Sequence, residues 1–76
     1  MWEVDTKYKD RLEKLGQKIK EKREHKRWSQ QDLADNCGYS KAYINRIEKG
    51  RRMPSLRVYF DIADAFGIKM STLFRD

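Results

Sequence analysis

Apolar residues recur at every third or fourth position along most of the chain, and this spacing predicts helices rather than strands. Between residues 10 and 27 the apolar positions form a narrow stripe, and nearly all the other positions are charged. A helix with this pattern buries only its stripe and leaves the rest in water. The first helix is therefore expected over residues 10–27, preceded by an arm of residues 1–9 that is frayed or partly helical. Within that arm, Trp2 is interpreted as covering the edge of the core, and the alternative is a contact with a second subunit or with a DNA groove.

Two shorter helices are predicted between residues 28 and 50, with only a tight turn between them. Ser29 is followed three residues later by Asp32, a pattern in which side chains satisfy the free amides of a first helical turn. Gly38 interrupts the helical pattern, since glycine readily takes the positive φ angle that ends a helix. Ser40 is expected to begin the next helix. The pattern therefore predicts two capped helices joined by a turn.

The second of these helices has one apolar and one polar side. Ile44 and Ile47 lie three positions apart, on the side that would hold the helix to a core. The other side is left with Lys41, Ala42, Asn45, Arg46 and Lys49. A helix of this length fits the DNA major groove, which is about 12 Å wide, if its polar side faces outward.

A basic loop that ends at a proline comes next, and it is followed by a fourth helix from the cap Ser55 to about Phe66. Gly67 is expected to end that helix, and Ser71 to cap a short fifth helix. The core stripe of the fourth helix is expected to contain Leu56, Tyr59, Ile62, Ala63 and Phe66. The expected fold class is therefore all-α, with five helices.

The composition limits the classes of binding partner that are expected for the chain. A chain of 76 residues forms a single small domain, and its 18 Lys and Arg against 12 Asp and Glu give a net charge of +6. This charge favours an anionic partner and leaves nucleic acid, acidic membrane and acidic protein open. A single cysteine excludes an internal disulfide and is typical of a reducing compartment. No apolar run is long enough to span a membrane, and no signal peptide is recognisable, so a cytoplasmic location without membrane association is expected.

Enzymatic activity is not expected. The chain has no glycine-rich phosphate loop, no metal-ligand spacing and no nucleophile beside a general base. Most carboxylates lie among lysines and arginines on helix faces, where solvated ion pairs are the ordinary explanation. No cofactor or metal is therefore predicted.

The segments LGQKIKEKRE, SQQDLADNCGYSKAYINRIEKG, RRMPSL and FDIADAFGI, which fall between residues 15 and 73, together resemble the Cro/C1-type helix-turn-helix domain of phage repressors and small bacterial regulators. The shared features are the capped Ser-Gln start, the turn glycine, the Ile-x-x-Ile-Glu-x-Gly ending and the later Pro-Ser. The resemblance implies a compact five-helix, lambda-repressor-like domain over residues 10–76.

The resemblance also implies roles for individual residues. Arg23 and Glu48 match an ion pair that ties the first helix to the recognition helix. The outward recognition-helix positions, where family members contact bases, are Lys41, Ala42, Tyr43 and Arg46. Phosphate contacts are implied for Ser29, Gln30, Ser40, Lys49, Arg51 and Arg52. Arg46 is the strongest candidate for reading a base, because arginine donates two parallel bonds to guanine. Asn45 either pairs with adenine or lies on the flank of the helix.

The function expected from these features is that of a sequence-specific, double-stranded-DNA-binding transcriptional regulator. A homodimer is expected, because one short helix reads too few bases for useful specificity. It would bind a roughly palindromic operator as a repressor or as a restriction-modification controller protein, and an activator would also contact RNA polymerase. The dimer interface is predicted to contain Phe60, Ile68, Met70, Leu73 and Phe74, although Ile68 and Leu73 are nearly as well explained as core.

Two alternatives remain at this point. The chain would instead be an antitoxin-type protein-interaction module if its main task were to mask a toxin and regulate its own operon. It would be a packaging protein if its charge bound nucleic acid without regard to sequence. A toxin that co-purifies would favour the first alternative, and equal competition by random DNA would favour the second.

Overall fold

The computed structural model describes residues 6–75, and within that range it contains five α-helices and no strand. A 3₁₀ turn, Thr6–Tyr8, precedes the first helix. The helices are α1 (Lys9–His25), α2 (Gln30–Cys37), α3 (Lys41–Glu48), α4 (Leu56–Phe66) and α5 (Met70–Phe74). The predicted all-α, five-helix fold is confirmed. Trp2 and most of the predicted arm lie outside the described residues.

All five helices contribute to one hydrophobic core. Each helix supplies one of the largest fully buried side chains, which are Ile19, Leu33, Ile44, Ile62 and Leu73. Burying an aliphatic side chain of this size contributes about 1.5–3 kcal/mol. The core therefore depends on every helix, including the short α5. None of the helices in the described part of the chain is both long enough and apolar enough to cross a membrane.

The ends of α2 and α3 are fixed by local interactions that the sequence predicted. The hydroxyl of Ser29 accepts a bond from the amide of Asp32 at 3.0 Å, and the carboxylate of Asp32 accepts one from the amide of Ser29 at 2.8 Å. Gly38 then takes a φ angle of 83° at the end of α2. Ser40 caps α3, since its hydroxyl accepts a bond from the amide of Tyr43 at 3.1 Å. These caps set the turn between the two helices.

The structure corrects two predictions about the second half of the chain. Leu56 is 60% exposed, because the apolar stripe of α4 extends one turn beyond the part that the core covers. Ser55 is confirmed as the N-cap residue of α4, although its side chain makes no capping bond. Ser71 lies inside α5 rather than before it, because the carbonyl of Lys69 accepts the bond from the amide of Leu73 that opens the helix.

Candidate nucleic-acid interface

The helix α3 separates a buried side from an exposed one, as its pattern indicates. Ile44 is fully buried, Ile47 is 2% exposed and Glu48 is 6% exposed. On the other side, Lys41 and Arg46 are exposed to solvent. The helix is therefore held to the protein by one side while the other side remains free for a ligand.

The outward side of α3 and the start of α2 form one continuous surface. Lys41, Ala42 and Arg46 are exposed, and they line a shallow groove together with Gln30 and Asn45. The structure thus brings together predicted base-contacting residues and a predicted phosphate-contacting residue. The hydroxyl-bearing caps Ser29 and Ser40 are also exposed at the first turns of the two helices, and Lys49 and Arg51 are exposed after α3.

Arg23 and Glu48, the two residues of the predicted ion pair, join α1 to the end of α3. Nε of Arg23 donates to Oε2 of Glu48 at 2.6 Å, and Nη2 donates to Oε1 at 3.0 Å. The third guanidinium nitrogen, Nη1, donates to the carbonyl of Trp28 at 2.7 Å. The hydrogen bonds to Glu48 raise the pKa of Arg23 above its ordinary value. Because both side chains are buried, this pair fixes the position of α3 against α1 and the loop before α2.

The same carboxylate also orients the side chain of Gln30. Nε2 of Gln30 donates to Oε1 of Glu48 at 3.0 Å, and its Oε1 accepts a bond from Nδ2 of Asn45 at 3.3 Å. Gln30 is half-buried and held in place before any ligand arrives. Asn45 is likewise half-buried and faces Gln30, which matches the flank alternative rather than a fully outward position beside Arg46.

A set of aromatic contacts that the sequence did not reveal supports the start of α3. The hydroxyl of Tyr39, in the turn, donates to the carboxylate of Asp61 in α4 at 2.5 Å, and this bond raises the pKa of Tyr39 to about 12. The rings of Tyr39 and Tyr43 lie 5.4 Å apart, and the guanidinium of Arg52 lies 5.5 Å from the ring of Tyr43. Tyr43 is therefore half-buried between the turn and the loop after α3, with only part of its surface exposed.

Close backbone contact between α1 and the end of α3 is a second feature that the sequence did not reveal. A Cβ atom on Gly16 would lie 2.3 Å from the carbonyl oxygen of Ile47, and one on Gly50 would lie 2.7 Å from the backbone nitrogen of Glu13. Only glycine allows backbones to approach this closely. The sequence does not predict this contact at Gly16, since a glycine within a helical pattern ordinarily indicates only that the helix is less stable there.

The predicted dimer-interface residues do not share one environment. Phe60 is 48% exposed and Phe74 is 42% exposed, while Ile68 and Met70 are half-buried. The prediction for Leu73 is wrong, because this side chain is fully buried in the core and has no surface to offer a partner. Among the predicted interface residues, the exposed apolar surface therefore lies mainly on Phe60 and Phe74.

The single histidine and the single cysteine have surroundings that are typical of structural residues. His25 is exposed at the end of α1, and Cys37 is half-buried, with burial raising the pKa of its thiol. Among residues 6–75 no cluster of histidine, cysteine and carboxylate side chains is arranged to hold a metal ion.

Comparison with known sequences identifies relatives of the helix-turn-helix type. A model of the helix-turn-helix family HTH_3 matches residues 19–73. An uncharacterized HTH-type transcriptional regulator from Methanocaldococcus jannaschii is 46% identical over 46 residues, which are 60% of this chain and 70% of that protein. The ImmF control region 10 kDa protein of Bacillus phage phi105 is 37% identical over 60 residues, which are 79% of this chain and 67% of that protein.

Comparison with solved structures identifies similar folds. The restriction-modification controller protein C.AhdI from Aeromonas hydrophila superposes with a TM-score of 0.84 at 35% identity, over 86% of this chain and 98% of that one. SinR, a master regulator for biofilm formation solved in complex with DNA, gives a TM-score of 0.74 at 29% identity, over 80% of this chain and 98% of that one. Both similarities extend over most of each chain.

Proposed function

The chain belongs to the helix-turn-helix family of transcriptional regulators, and from this we propose that it binds double-stranded DNA sequence-specifically and regulates transcription as a homodimer. The structure of SinR contains DNA, and C.AhdI is a controller protein, so both similarities support a DNA-binding role. A repressor or controller role is the form of regulation that these relatives favour.

The observation that carries this proposal is the exposed side of α3. Arg46 and Lys41 are exposed there as free hydrogen-bond donors, while Ile44 on the opposite side is fully buried. An arginine that donates two parallel bonds to guanine O6 and N7 contributes about 1–3 kcal/mol of discrimination against other bases. Arg46 is accordingly the principal base-reading residue. Lys41 supplies a second donor for guanine or phosphate, and Ala42 supplies a methyl surface for thymine.

Contacts to the DNA backbone come from residues around the edge of this surface. At the start of α2 the amides of Asp32 and Leu33 are bonded to Ser29, so the amides of Gln30 and Gln31, with the positive end of the helix dipole, favour a phosphate beside Gln30. Such contacts hold the protein in register but carry no sequence information. The backbone-contacting residues are Ser29, Gln30, Ser40, Lys49, Arg51 and Arg52.

A homodimer supplies the specificity that one α3 lacks. Two copies of α3 would enter successive major grooves about 34 Å apart, on an operator with two similar half-sites. Phe60 and Phe74 are exposed aromatic side chains, and Ile68 and Met70 are half-buried, so these residues provide the apolar surface for the second copy. The dimer interface is therefore assigned to this part of α4, α5 and the segment between them.

Selection of bound fragments from random duplex DNA tests the proposal. The wild-type chain should enrich a motif with two related half-sites. Arg46→Ala should broaden that motif at one position in each half-site, because the bidentate contact is lost. Arg11→Ala is the matched control, since Arg11 is an exposed arginine of α1 and lies outside the α3 surface. If Arg46→Ala selected the same DNA motif as the wild-type chain, Arg46 would not be a base-reading residue.

A further inference from the structure

A second groove lies between α1 and α3, beside the one that contains Lys41 and Arg46. Its wall on α1 includes Lys9, Gln17 and Lys20, and its opposite wall includes Lys49 and Arg51. Both grooves are lined in part by Gln30 and Asn45, so they adjoin each other at the start of α2. A DNA strand whose bases face α3 therefore has a path into this groove for its backbone.

The charges of the second groove favour a polyanion. Lysines and an arginine line it from both sides, and the carboxylates in its lining are those of Glu13 and Glu48. The carboxylate of Glu48 is already bonded to Arg23 and Gln30, so it is neutralised within the protein. Among the described lining residues, only the carboxylate of Glu13 therefore offsets the positive charges of the lysines and the arginine.

Lys20 lies on the side of α1 that faces the end of α3. Gly16 is the residue where the backbone of α1 meets the end of α3, and Lys20 follows it by four positions. Residues four apart lie on the same side of a helix, and Lys20 accordingly lines the groove together with Lys49 and Arg51. Lys20 is also half-buried, which indicates that its hydrocarbon stem packs against the protein while its ammonium group reaches the groove.

We propose that α1 forms a phosphate-binding wall of its own, in which Lys20, assisted by Lys9, contacts phosphates of the DNA strand next to those contacted by Lys49 and Arg51. This inference rests on the proposed function and extends it, since no motif in the sequence assigns α1 to the DNA. The DNA backbone is held between α1 on one side and the end of α3 on the other. These contacts strengthen binding and fix the angle of α3 without selecting a sequence.

The matched pair Lys20→Gln and Lys22→Gln tests the proposal. Both substitutions remove one positive charge from a half-buried lysine of α1, but Lys22 lines a different groove, between α1 and the α4–α5 region. Binding to the selected duplex is measured over a series of salt concentrations. The association constant K falls as salt rises, so log K against log salt has a negative slope. Lys20→Gln should make this slope shallower by about 0.9, for one lost phosphate contact, and Lys22→Gln should leave it unchanged. The preferred sequence should remain the same in both variants.

Phosphate ethylation interference on the same duplex identifies the site of contact. Ethylation of one phosphate in each half-site should weaken the wild-type chain and Lys22→Gln but leave Lys20→Gln unaffected. Inorganic phosphate added at matched ionic strength should not take the place of DNA in the groove, because a single free phosphate does not span the groove. Lys20→Arg should restore the salt slope, which separates lost contact from lost folding.

Equal salt slopes for the two glutamine variants, or identical ethylation patterns, would overturn the phosphate-binding wall on α1. In that case a wild-type chain that still prefers one sequence would leave the proposed function intact. A wild-type chain without any preference would instead contradict the proposed function, and the salt slopes on random duplex would still decide the role of Lys20.

Discussion

Gly16 of α1 lies so close to Ile47 of α3 that a Cβ atom at position 16 would stand 2.3 Å from the carbonyl oxygen of Ile47. The nearest atoms belong to the backbone of α3, so a side chain at position 16 has no flexible neighbour to displace. The distance between the two helices is therefore set by the absence of a side chain. Since α3 carries the proposed base-reading residues, this contact also helps to set how far they project from the protein.

Gly16→Ala should destabilise the chain even though alanine is the better helix former. Overpacking of this kind costs about 1–3 kcal/mol, and more where only backbone can move. Urea unfolding of the variant measures the loss. Gly67→Ala is the control, because Gly67 has a φ angle of 70° but nothing within 4 Å of an added Cβ, so only backbone strain of about 1–2 kcal/mol is expected. A Gly16→Ala variant as stable as the wild type would show that α1 and α3 separate without cost.

Glu48→Ala should weaken DNA binding mainly because it destabilises the fold. The substitution leaves the buried guanidinium of Arg23 without its bidentate partner, and stranding a buried charge costs about 3–5 kcal/mol. It also removes the acceptor that orients Gln30. Melting temperature and DNA affinity should therefore fall together, whereas Glu24→Ala, at an exposed position one residue from Arg23, should change little. A normal melting temperature with lost binding would contradict this assignment.

The stability of the chain should decline in strongly alkaline solution through two tyrosines. Hydrogen bonding to Asp61 raises the pKa of Tyr39 to about 12, and burial raises the pKa of Tyr59 to about 12, from an ordinary value of 10.0. The folded chain thus holds these phenol protons more tightly than the unfolded chain. Their contribution is complete below pH 10 and is lost as the pH rises from about 10 to about 12.

Titration by tyrosinate absorbance, combined with unfolding at each pH, measures this effect. Tyr39→Phe should remove one of the late titration steps and make the alkaline loss of stability smaller. The wild-type and Tyr39→Phe chains should be compared at the same salt concentration, because salt screens the interactions between exposed charges. If the variant lost stability with rising pH as the wild type does, Tyr39 would not contribute to the stability of the turn through its hydrogen bond.

Phe60→Ser should weaken the association of two copies while leaving the monomer folded. Phe60 is 48% exposed, so its replacement removes little from the core but removes apolar area from the proposed dimer interface. Sedimentation velocity over a range of concentrations measures the change in dissociation constant. Tyr8→Ser provides the control at an aromatic residue that is 38% exposed outside the interface. Equal dissociation constants for the wild type and Phe60→Ser would place the dimer interface elsewhere.

The features that were predictable from the sequence act over short distances along the chain. Ser29, Gly38 and Ser40 fix helix ends through residues at most four positions away, so a short stretch of sequence contains both partners. The two faces of α3 are predictable for the same reason, because helical periodicity alone assigns Ile44 and Arg46 to different sides. Local chemistry thus determined the helix-turn-helix unit.

The features that were missed join distant positions or depend on how far a neighbour extends. Tyr39 and Asp61 lie 22 positions apart, and either residue alone resembles an ordinary polar surface residue. Gly16 signals its role only once α3 is placed against it. Leu56 has the right periodicity for the core, but periodicity does not show where the covering helices end. Tertiary packing decided these positions.

The ratio of two dissociation constants tests the central claim most directly. One constant is measured for the duplex selected by the wild-type chain, and the other for a scrambled duplex of the same length and composition, at the same salt concentration. A sequence-specific regulator should bind the selected duplex at least about a thousandfold more tightly, and Arg46→Ala should reduce that ratio by about tenfold or more. Equal dissociation constants for the two duplexes would contradict the claim that α3 reads a DNA sequence.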